Sequence, residues 1–333
     1  MKSKDVFQPL PIVLTLLLVM GCKQNQNAEK DAMTTIASSQ TESQHPASTT
    51  ETFFPGFRDI NVVIDSLKIH AVVGGSGEPL LLLHGAPESH VMWRDLAPKL
   101  AKKFTVIAPD LRGYGRSDKP REGNYSKRRM AKDQIELMKE LGYDSFLIAS
   151  HDRGSHAARR LAKDYPKAVK KMVIMDVVPA TYVWEHIDGK VANRFWAWIF
   201  WTQPYPLPEN LMGPQAAAFA KTAAGDDVEA GEDYAATNGT ADAFHAMCED
   251  YRASKGIDME HDKADAQIKI DVPTLVIWGK KSNTGNFDYP TIWKNEINDV
   301  SFLELDAGHF IVEEKPIEVM EATLSFFGPS KVN

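Results

Sequence analysis

The sequence predicts an α/β protein with a mostly parallel eight-stranded sheet, into which a helical cap domain is inserted. The first observation behind this prediction is that short apolar runs alternate with helical patterns from residue 53 onward, which is typical of parallel sheets. The second is that this alternation stops between residues 179 and 270 and then resumes. With 333 residues, of which 43% are apolar, the chain can fill the core of such a domain.

Eight segments are expected to form the strands. The first two, INVVID and KIHAVVGG, are predicted to open the fold as an antiparallel pair. The other six are expected to be buried parallel strands, and they are PLLLLHG, FTVIAPD, SFLIAS, KMVIMDV, PTLVIWG and SFLELDAGH. Gly, Pro and Asp residues follow the carboxyl ends of these runs, which is where active sites lie in open α/β sheets.

The interruption of the pattern sets the domain boundaries. Residues 53–178 and 271–330 are expected to form the core domain, and residues 179–270 the cap. The cap segment combines helical patterns with many aromatic residues and the proline-rich run TQPYPLPEN. We expect this insertion to lie over the sheet.

Residues 1–21 are predicted to be a signal peptide. Two lysines precede the apolar run at residues 12–20, which has the length of a signal-peptide core and is too short to span a bilayer comfortably. The run ends in Val-Met-Gly-Cys, which resembles a bacterial lipobox with Cys22 as the acylated membrane anchor. The alternative is a cleaved secretory signal with an incidental cysteine. Lys23 after the cysteine implies, by the sorting rule for such lipoproteins, the outer membrane of a Gram-negative envelope, facing the periplasm.

Residues 22–52 are predicted to be a disordered tether. They are rich in Ser, Thr and Gln and contain almost no large apolar side chains, so they cannot bury a core. A flexible coil of this length spans about 30 Å, which is enough to hold a folded domain clear of lipid headgroups.

Composition excludes several classes of function. The net charge of −7 is spread along the chain without a basic block, so a nucleic-acid partner is not expected. The ten histidines and two cysteines form no HExxH or CxxC pattern, so we expect no metal and no cofactor. A disulfide between Cys22 and Cys248 would join unrelated regions and is not expected. The expected partners are a small-molecule substrate and water, and a homodimer is left open.

The run SHDRG at residues 150–154 fits the pattern small-x-nucleophile-x-small. In α/β-hydrolase folds this pattern forms a strained turn between a strand and a helix, and it lifts the central side chain clear of the sheet. Small residues are required because the strand and helix backbones nearly touch there. The sequence therefore indicates Asp152 as a nucleophile. The alternative is an aspartate that caps a buried helix, since Asp is a favoured N-cap residue.

Two further residues complete the order nucleophile, acid, histidine that this fold uses. Asp176 follows the next strand, and His309 lies in the run LDAGHF after the last one. His309 is therefore the predicted general base, and Asp176 its acid partner. Asp176 could instead satisfy loop amides at a strand end. The rival acid position, after LVIWG, holds no carboxylate before Asp288.

The run HGAPE at residues 84–88 is predicted to supply an oxyanion loop. The backbone N–H groups of Ala86 and Arg153 would then point at the developing negative charge. The neighbouring run DLRGYGRS is expected to be a scaffold loop, whose Arg112 and Arg116 form structural ion pairs.

An aspartate nucleophile favours displacement at a saturated carbon that bears a leaving group. Its carboxylate is already ionised at neutral pH and needs no base to activate it. The resulting ester on Asp152 would then be hydrolysed by a water molecule that His309 activates. Carbon–halogen hydrolysis and epoxide opening both fit this chemistry.

Seven segments resemble the fluoroacetate (haloacetate) dehalogenase family of the α/β-hydrolase fold. They are HGAPESHVMW, DLRGYGRSDKP, SHDRGSHAARRLAKDYP, MDVVPATYVWEHID, FWAWIFWTQPYPLPEN, MCEDYRAS and AGHFIVEE, and the resemblance covers residues 53–328. It implies that Asp152, His309 and Asp176 are the catalytic residues. It also implies that Arg153 binds the carboxylate of the substrate, and that Trp198 and Tyr251 donate hydrogen bonds to the departing halide.

Three positions depart from this family. His156 stands where a second carboxylate-binding arginine is expected, and it could still donate one hydrogen bond, more strongly when protonated. Ala197 stands where a halide-binding histidine is expected, and Ala86 replaces a bulky aromatic. Loss of a donor to the leaving anion affects fluoride most, because it is the poorest halide leaving group. The expected substrate is therefore a chloro- or bromo-substituted carboxylic acid, or a larger acid.

Two other functions are weighed against dehalogenation. An epoxide hydrolase would use the same nucleophile, with Tyr251 and one of Tyr182, His186 and Tyr205 as acids. Arg153 argues against it, because an unpaired cation beside a neutral epoxide is unfavourable in a dry pocket. The second is a lipoprotein that binds a ligand without catalysis, and the intact catalytic set argues against it.

Overall fold

The computed structural model describes residues 49–328. The predicted signal peptide, Cys22 and residues 22–48 of the predicted tether lie outside the described residues. The first described element is a short helix, α1 (Thr49–Phe53), so regular structure begins four residues before the predicted boundary at residue 53. The described residues contain no helix that is both long and apolar enough to span a membrane.

A single eight-stranded sheet forms the centre of the core domain. Its strands are β1 (Arg58–Ile64), β2 (Leu67–Gly75), β3 (Glu78–Leu83), β4 (Phe104–Pro109), β5 (Phe146–His151), β6 (Val169–Met175), β7 (Thr274–Gly279) and β8 (Val300–Leu305). The strand order is β1-β2-β4-β3-β5-β6-β7-β8, and β2 pairs antiparallel with both β1 and β4. All other pairs are parallel. The predicted fold class, a mostly parallel eight-stranded sheet with an antiparallel opening pair, is confirmed.

Both faces of the sheet are buried, which explains why its central strands are continuous apolar runs. Successive side chains of a strand point to opposite faces. In β3, for example, Leu81 and Leu83 belong to one hydrophobic cluster, and Leu80 and Leu82 belong to the other. Because the strands from β3 to β8 pair in parallel, their carboxyl ends lie at the same edge of the sheet.

The helices of the core domain cover the two faces. They are α2 (Ala97–Leu100), α3 (Lys127–Glu140), α4 (Asp152–Asp164), α13 (Tyr289–Glu296), α14 (Ile311–Glu314) and α15 (Pro316–Phe327), with a 3-10 helix at His90–Trp93. Helix α3 begins after Ser126, whose side chain accepts a hydrogen bond from the Arg129 amide. Helix α4 is central, because it follows β5 directly and packs beside α3.

Eight helices form an insertion between β6 and β7. They are α5 (Ala180–Glu185), α6 (Gly189–Arg194), α7 (Trp196–Trp201), α8 (Leu207–Met212), α9 (Ala216–Lys221), α10 (Val228–Asn238), α11 (Ala241–Lys255) and α12 (Ile257–Ala264), with 3-10 turns at Gly213–Gln215 and Thr222–Ala224. This helical segment falls within the predicted cap range, residues 179–270. The longest cap helix, α11, begins after Thr240, whose side chain accepts a hydrogen bond from the Ala243 amide, and ends before Gly256.

Candidate active site

Asp152 lies at the turn between β5 and α4, at the carboxyl edge of the sheet. Its φ of 41° falls in the left-handed region that non-glycine residues rarely adopt, so the turn is strained. Gly154 is required beside it, because a Cβ there would lie 2.5 Å from the backbone oxygen of His84. This is the strand-turn-helix geometry that the sequence pattern predicts for Asp152.

The carboxylate of Asp152 faces the HGAPE loop rather than its own helix. The Ala86 amide donates a hydrogen bond to Asp152 Oδ2 at 3.1 Å. The N-cap position of α4 is occupied by His151, whose side chain makes no capping bond. A helix-capping role for Asp152 is therefore not supported, and the contact with Ala86 places this amide where an oxyanion donor is needed.

Asp152 is buried but ionised. Burial opposes its ionisation, but the positive charges of His309 and Arg153 outweigh that effect and hold the pKa of Asp152 below its ordinary value. The side chain is therefore available as a nucleophile throughout the physiological pH range.

His309 and Asp176 are brought together as the sequence predicts. His309 Nδ1 lies 2.6 Å from Asp176 Oδ2, and the other oxygen of Asp176 accepts a hydrogen bond from the Gly279 amide at 2.8 Å. Burial tends to lower the pKa of His309, but the hydrogen bond and charge of Asp176 raise it above the ordinary value. Because Nδ1 is held by Asp176, Nε2 is the nitrogen left to accept a proton from water.

Asp288, the alternative candidate for the acid, caps a helix. Asp288 lies at the N-terminus of α13, where its carboxylate accepts a hydrogen bond from the Thr291 amide at 3.1 Å. Asp288 is thus a helix cap on the surface, and the carboxylate in contact with His309 is that of Asp176.

Arg153 is fully buried, and most of its donors are already occupied within the protein. Arg153 Nε and Nη2 donate to the two carboxylate oxygens of Asp250 at 2.9 and 2.6 Å, so Asp250 in the cap occupies the bidentate site. Nη1 is left buried without a partner among the described residues. The guanidinium also lies over the rings of Tyr251 and Trp198, 4.3 and 5.9 Å from their centroids. Arg153 therefore offers a substrate one N–H edge and a positive charge, not a fork.

Asp250 is a site residue that the sequence analysis missed. Besides Arg153, it accepts hydrogen bonds from Lys127 Nζ and from the Tyr114 hydroxyl, the latter at 2.8 Å. Burial opposes ionisation of Asp250, but the charges of Arg153 and Lys127 lower its pKa. Burial also lowers the pKa of Lys127, to about 8. Two cations thus share one carboxylate beside the nucleophile.

A signal for Asp250 was present in the sequence. It lies on α11 three residues after Met247 and seven after Ala243, and all three side chains are buried. A charged residue in phase with an apolar helical stripe requires a buried counterion. The sequence alone did not identify Arg153 and Lys127 as those counterions.

His156 lies one helical turn after Asp152, as expected, but carries no charge. Burial and the nearby charges of Arg153 and Lys127 hold its pKa well below the ordinary value. The stronger hydrogen bond that was expected from a protonated His156 is therefore not available. Its Nε2 has no partner among the described residues, and its ring lies edge-on to Trp198. His156 offers at most one neutral hydrogen bond.

Two aromatic residues of the cap, Trp198 and Tyr251, lie against the guanidinium of Arg153. The rings of Trp198 and Tyr251 meet edge to face, 5.6 Å apart. Burial, and then the charge of Asp152, raise the pKa of Tyr251 well above its ordinary value, so its hydroxyl remains a donor. Ala197, next to Trp198, is half-buried and contributes no donor.

The scaffold role predicted for the DLRGYGRS loop agrees with the ion pairs that its arginines form. Arg112 binds both oxygens of Asp133 at 2.8 and 2.9 Å, and Arg116 pairs with Asp233 of the cap.

Three buried side chains, His70, His90 and Asp110, bring possible metal-ligand atoms within 4.8 Å of one another. The histidines already contact opposite Asp110 oxygens at 2.9 Å each. We therefore assign this cluster to the scaffold.

Residues 78–316 match the alpha/beta hydrolase fold family. The chain belongs to this family. It is 37% identical to the fluoroacetate dehalogenase of a Burkholderia species, over 84% of this chain and 96% of that protein. It is 33% identical to the soluble epoxide hydrolase of Corynebacterium sp. (strain C12), over 80% of this chain and 96% of that protein. Among solved structures, ALR0039 from Nostoc sp PCC 7120 superimposes with a TM-score of 0.78 and 40% identity, covering 81% of this chain and 97% of that one.

These relatives include both dehalogenases and epoxide hydrolases. The chain is therefore an α/β-hydrolase that is similar to enzymes of both activities. The residues around Asp152 are the basis for choosing between the two activities.

Proposed function

We propose that this protein hydrolyses a small 2-halocarboxylic acid to the hydroxy acid, through an ester formed on Asp152. The observation that carries the proposal is the unpartnered Nη1 of Arg153, which is buried one residue after an ionised aspartate. A buried donor on a cation requires an acceptor, and an anionic substrate supplies one. A substrate held there by its carboxylate places the neighbouring carbon near Asp152.

The first step is a displacement at that carbon. An oxygen of Asp152 attacks, the carbon–halogen bond breaks, and the halide leaves with the bonding electrons. The Ala86 amide holds Oδ2 at 3.1 Å, so Oδ1 is the oxygen free to attack. Trp198 and Tyr251, whose rings lie 5.6 Å apart, are the proposed donors to the departing halide.

The second step hydrolyses the ester. A water molecule attacks the carbonyl carbon of Asp152 while His309 Nε2 takes its proton, and the amide of Ala86 stabilises the tetrahedral oxyanion. When the ester bond breaks, the hydroxy acid leaves with the former aspartate oxygen and a proton from His309. One oxygen of the restored Asp152 carboxylate therefore comes from water.

The proposed function is tested by release of halide from a panel of acids. We expect full-length protein to hydrolyse chloroacetate, bromoacetate and their 2-propionate analogues, and neutral epoxides much more slowly. In ¹⁸O-labelled water, the first turnover should leave the label in Asp152 and unlabelled oxygen in the product. Label in the first-turnover product would contradict the ester intermediate, and inactivity on acids and epoxides alike would contradict the proposed function.

Ala197 predicts a preference among halogens. Replacing Ala197 by histidine adds a donor beside Trp198, and we expect it to raise the fluoroacetate-to-chloroacetate rate ratio by about 10-fold or more. The matched control is Ala192→His in the preceding cap helix, for which we expect no change in the ratio. The measurement is kcat/KM for both acids by halide release, and an unchanged ratio in Ala197→His would exclude this position from the halide site.

Epoxide opening is the second candidate, and the cap residues support it less well. The side chain of Tyr205 is 55% exposed and accepts a hydrogen bond from Arg121 outside the site. Tyr182 stacks on His186, which is itself exposed. An epoxide hydrolase of this kind would need a second acid beside Tyr251 to protonate the epoxide oxygen. Neither Tyr205 nor Tyr182 is favoured for that role by these contacts.

A further inference from the structure

A buried histidine and a buried glutamate lie directly behind the nucleophile. His151 is the last residue of β5, and Glu88 ends the HGAPE loop after β3; neither side chain is exposed to solvent. His151 Nδ1 lies 2.9 Å from Glu88 Oε2, and its Nε2 lies 2.8 Å from the backbone oxygen of His309. The ring therefore joins the oxyanion loop, the nucleophile strand and the loop of the general base.

These contacts constrain the protons on the His151 ring. The backbone oxygen of His309 only accepts hydrogen bonds, so Nε2 must donate to it. The partner of Nδ1 is a carboxylate oxygen, Glu88 Oε2, and donation to it as well makes the ring an imidazolium. Burial opposes that charge, but the charge and hydrogen bond of Glu88 outweigh it and raise the pKa of His151 to about 9.

The charge of His151 lies close to the base. The ring centroids of His151 and His309 are 4.9 Å apart, a distance at which one positive charge opposes the formation of another. The carboxylates of Asp152 and Asp176 face both rings and act in the opposite direction. Glu88 in turn faces further titratable groups, namely His84, Tyr234 and Glu313.

We propose that the Glu88–His151 ion pair positions and tunes the general base. The imidazolium holds the backbone of His309 in place, and its charge counteracts Asp176, so that His309 releases its proton more readily at neutral pH. The catalytic meaning of this pair rests on the proposed function. Its physical content, the charge of His151 and its effect on His309, does not depend on any substrate.

The test is a titration of full-length protein with ¹⁵N-labelled histidine, followed by NMR. In the wild type we expect both ring nitrogens of His151 to be protonated at pH 7. In His151→Gln, whose amide can still donate to His309, we expect the titration of His309 to move up by about one pH unit. In Glu88→Gln we expect His151 to titrate at lower pH than in the wild type.

The control variant is His245→Gln. His245 is also paired with a glutamate, Glu209, at 2.9 Å, but it lies in the cap and touches none of the proposed catalytic groups. We expect this variant to leave the titration of His309 unchanged.

Two results would overturn the proposal: a neutral His151 in the wild type, or a His309 titration that does not rise in His151→Gln. The wild-type result needs no substitution, so it decides even if a variant fails to fold. If the protein releases no product from any substrate, the proposed function fails while the titrations still decide this inference. If the protein is active, the acid limb of kcat in His151→Gln should shift upward with His309.

Discussion

Replacing His309 by asparagine is expected to stop the reaction after the first step and to leave the carbon skeleton of the substrate attached to Asp152. The displacement needs no base, because Asp152 is already ionised. Hydrolysis of the ester does need one, and loss of a general base costs about 100- to 10,000-fold in rate. Intact-protein mass spectrometry after mixing with a haloacid should therefore detect a stable adduct, with a single burst of halide.

Two variants control this experiment. Asp152→Asn removes the nucleophile and should show neither adduct nor halide burst. His186→Asn changes an exposed cap histidine and should turn over without accumulating an adduct. Sustained turnover by His309→Asn near the wild-type rate would contradict the role of His309.

Turnover is expected to decrease as the pH is lowered. His309 must be neutral to accept a proton, and its pKa lies above the ordinary value of 6.5. Ester hydrolysis should therefore fall as the pH decreases through that raised pKa.

The second large effect is on stability. We expect Asp250→Asn to lower the free energy of unfolding by about 3–5 kcal/mol, because a neutral amide would leave Arg153 and Lys127 buried without their shared anion. Asp242→Asn is a matched control on the same helix, since Asp242 forms only an exposed ion pair with Arg121. Chemical denaturation of both variants measures the difference. Equal losses would mean that the Asp250 cluster does not stabilise the fold.

Much of the fold could be predicted because each strand is encoded locally. Five of the parallel strands, β3–β7, are largely buried apolar runs, and burial on both faces of the sheet requires such runs. The expectation of burial was wrong for β8, which lies at the edge of the sheet and exposes Ser301 and Glu304. The elbow at Asp152 could be predicted for a similar reason, since small residues on both sides are a local requirement of the turn.

The missed part of the site depends on contacts between distant segments. Asp250 lies 97 positions after Arg153, and His151 lies 63 positions after Glu88. Asp250 lies in the run MCEDYRAS and Glu88 in the run HGAPE, but no neighbouring residue in either run identifies the partner of the carboxylate. The neutral state of His156 was missed for the same reason, because it follows from burial and from cations on other elements.

The bond between Arg153 and Asp250 also restricts how the molecule can open. Arg153 belongs to the core helix α4 and Asp250 to the cap helix α11, so their hydrogen bonds of 2.6 and 2.9 Å cross the boundary between the two domains. Moving α11 away would break both of these charge-assisted hydrogen bonds and would also remove the ring of Tyr251 from the guanidinium. The position of α11 is therefore coupled to the side chain that follows the proposed nucleophile, so any movement of this helix also changes the charge next to Asp152.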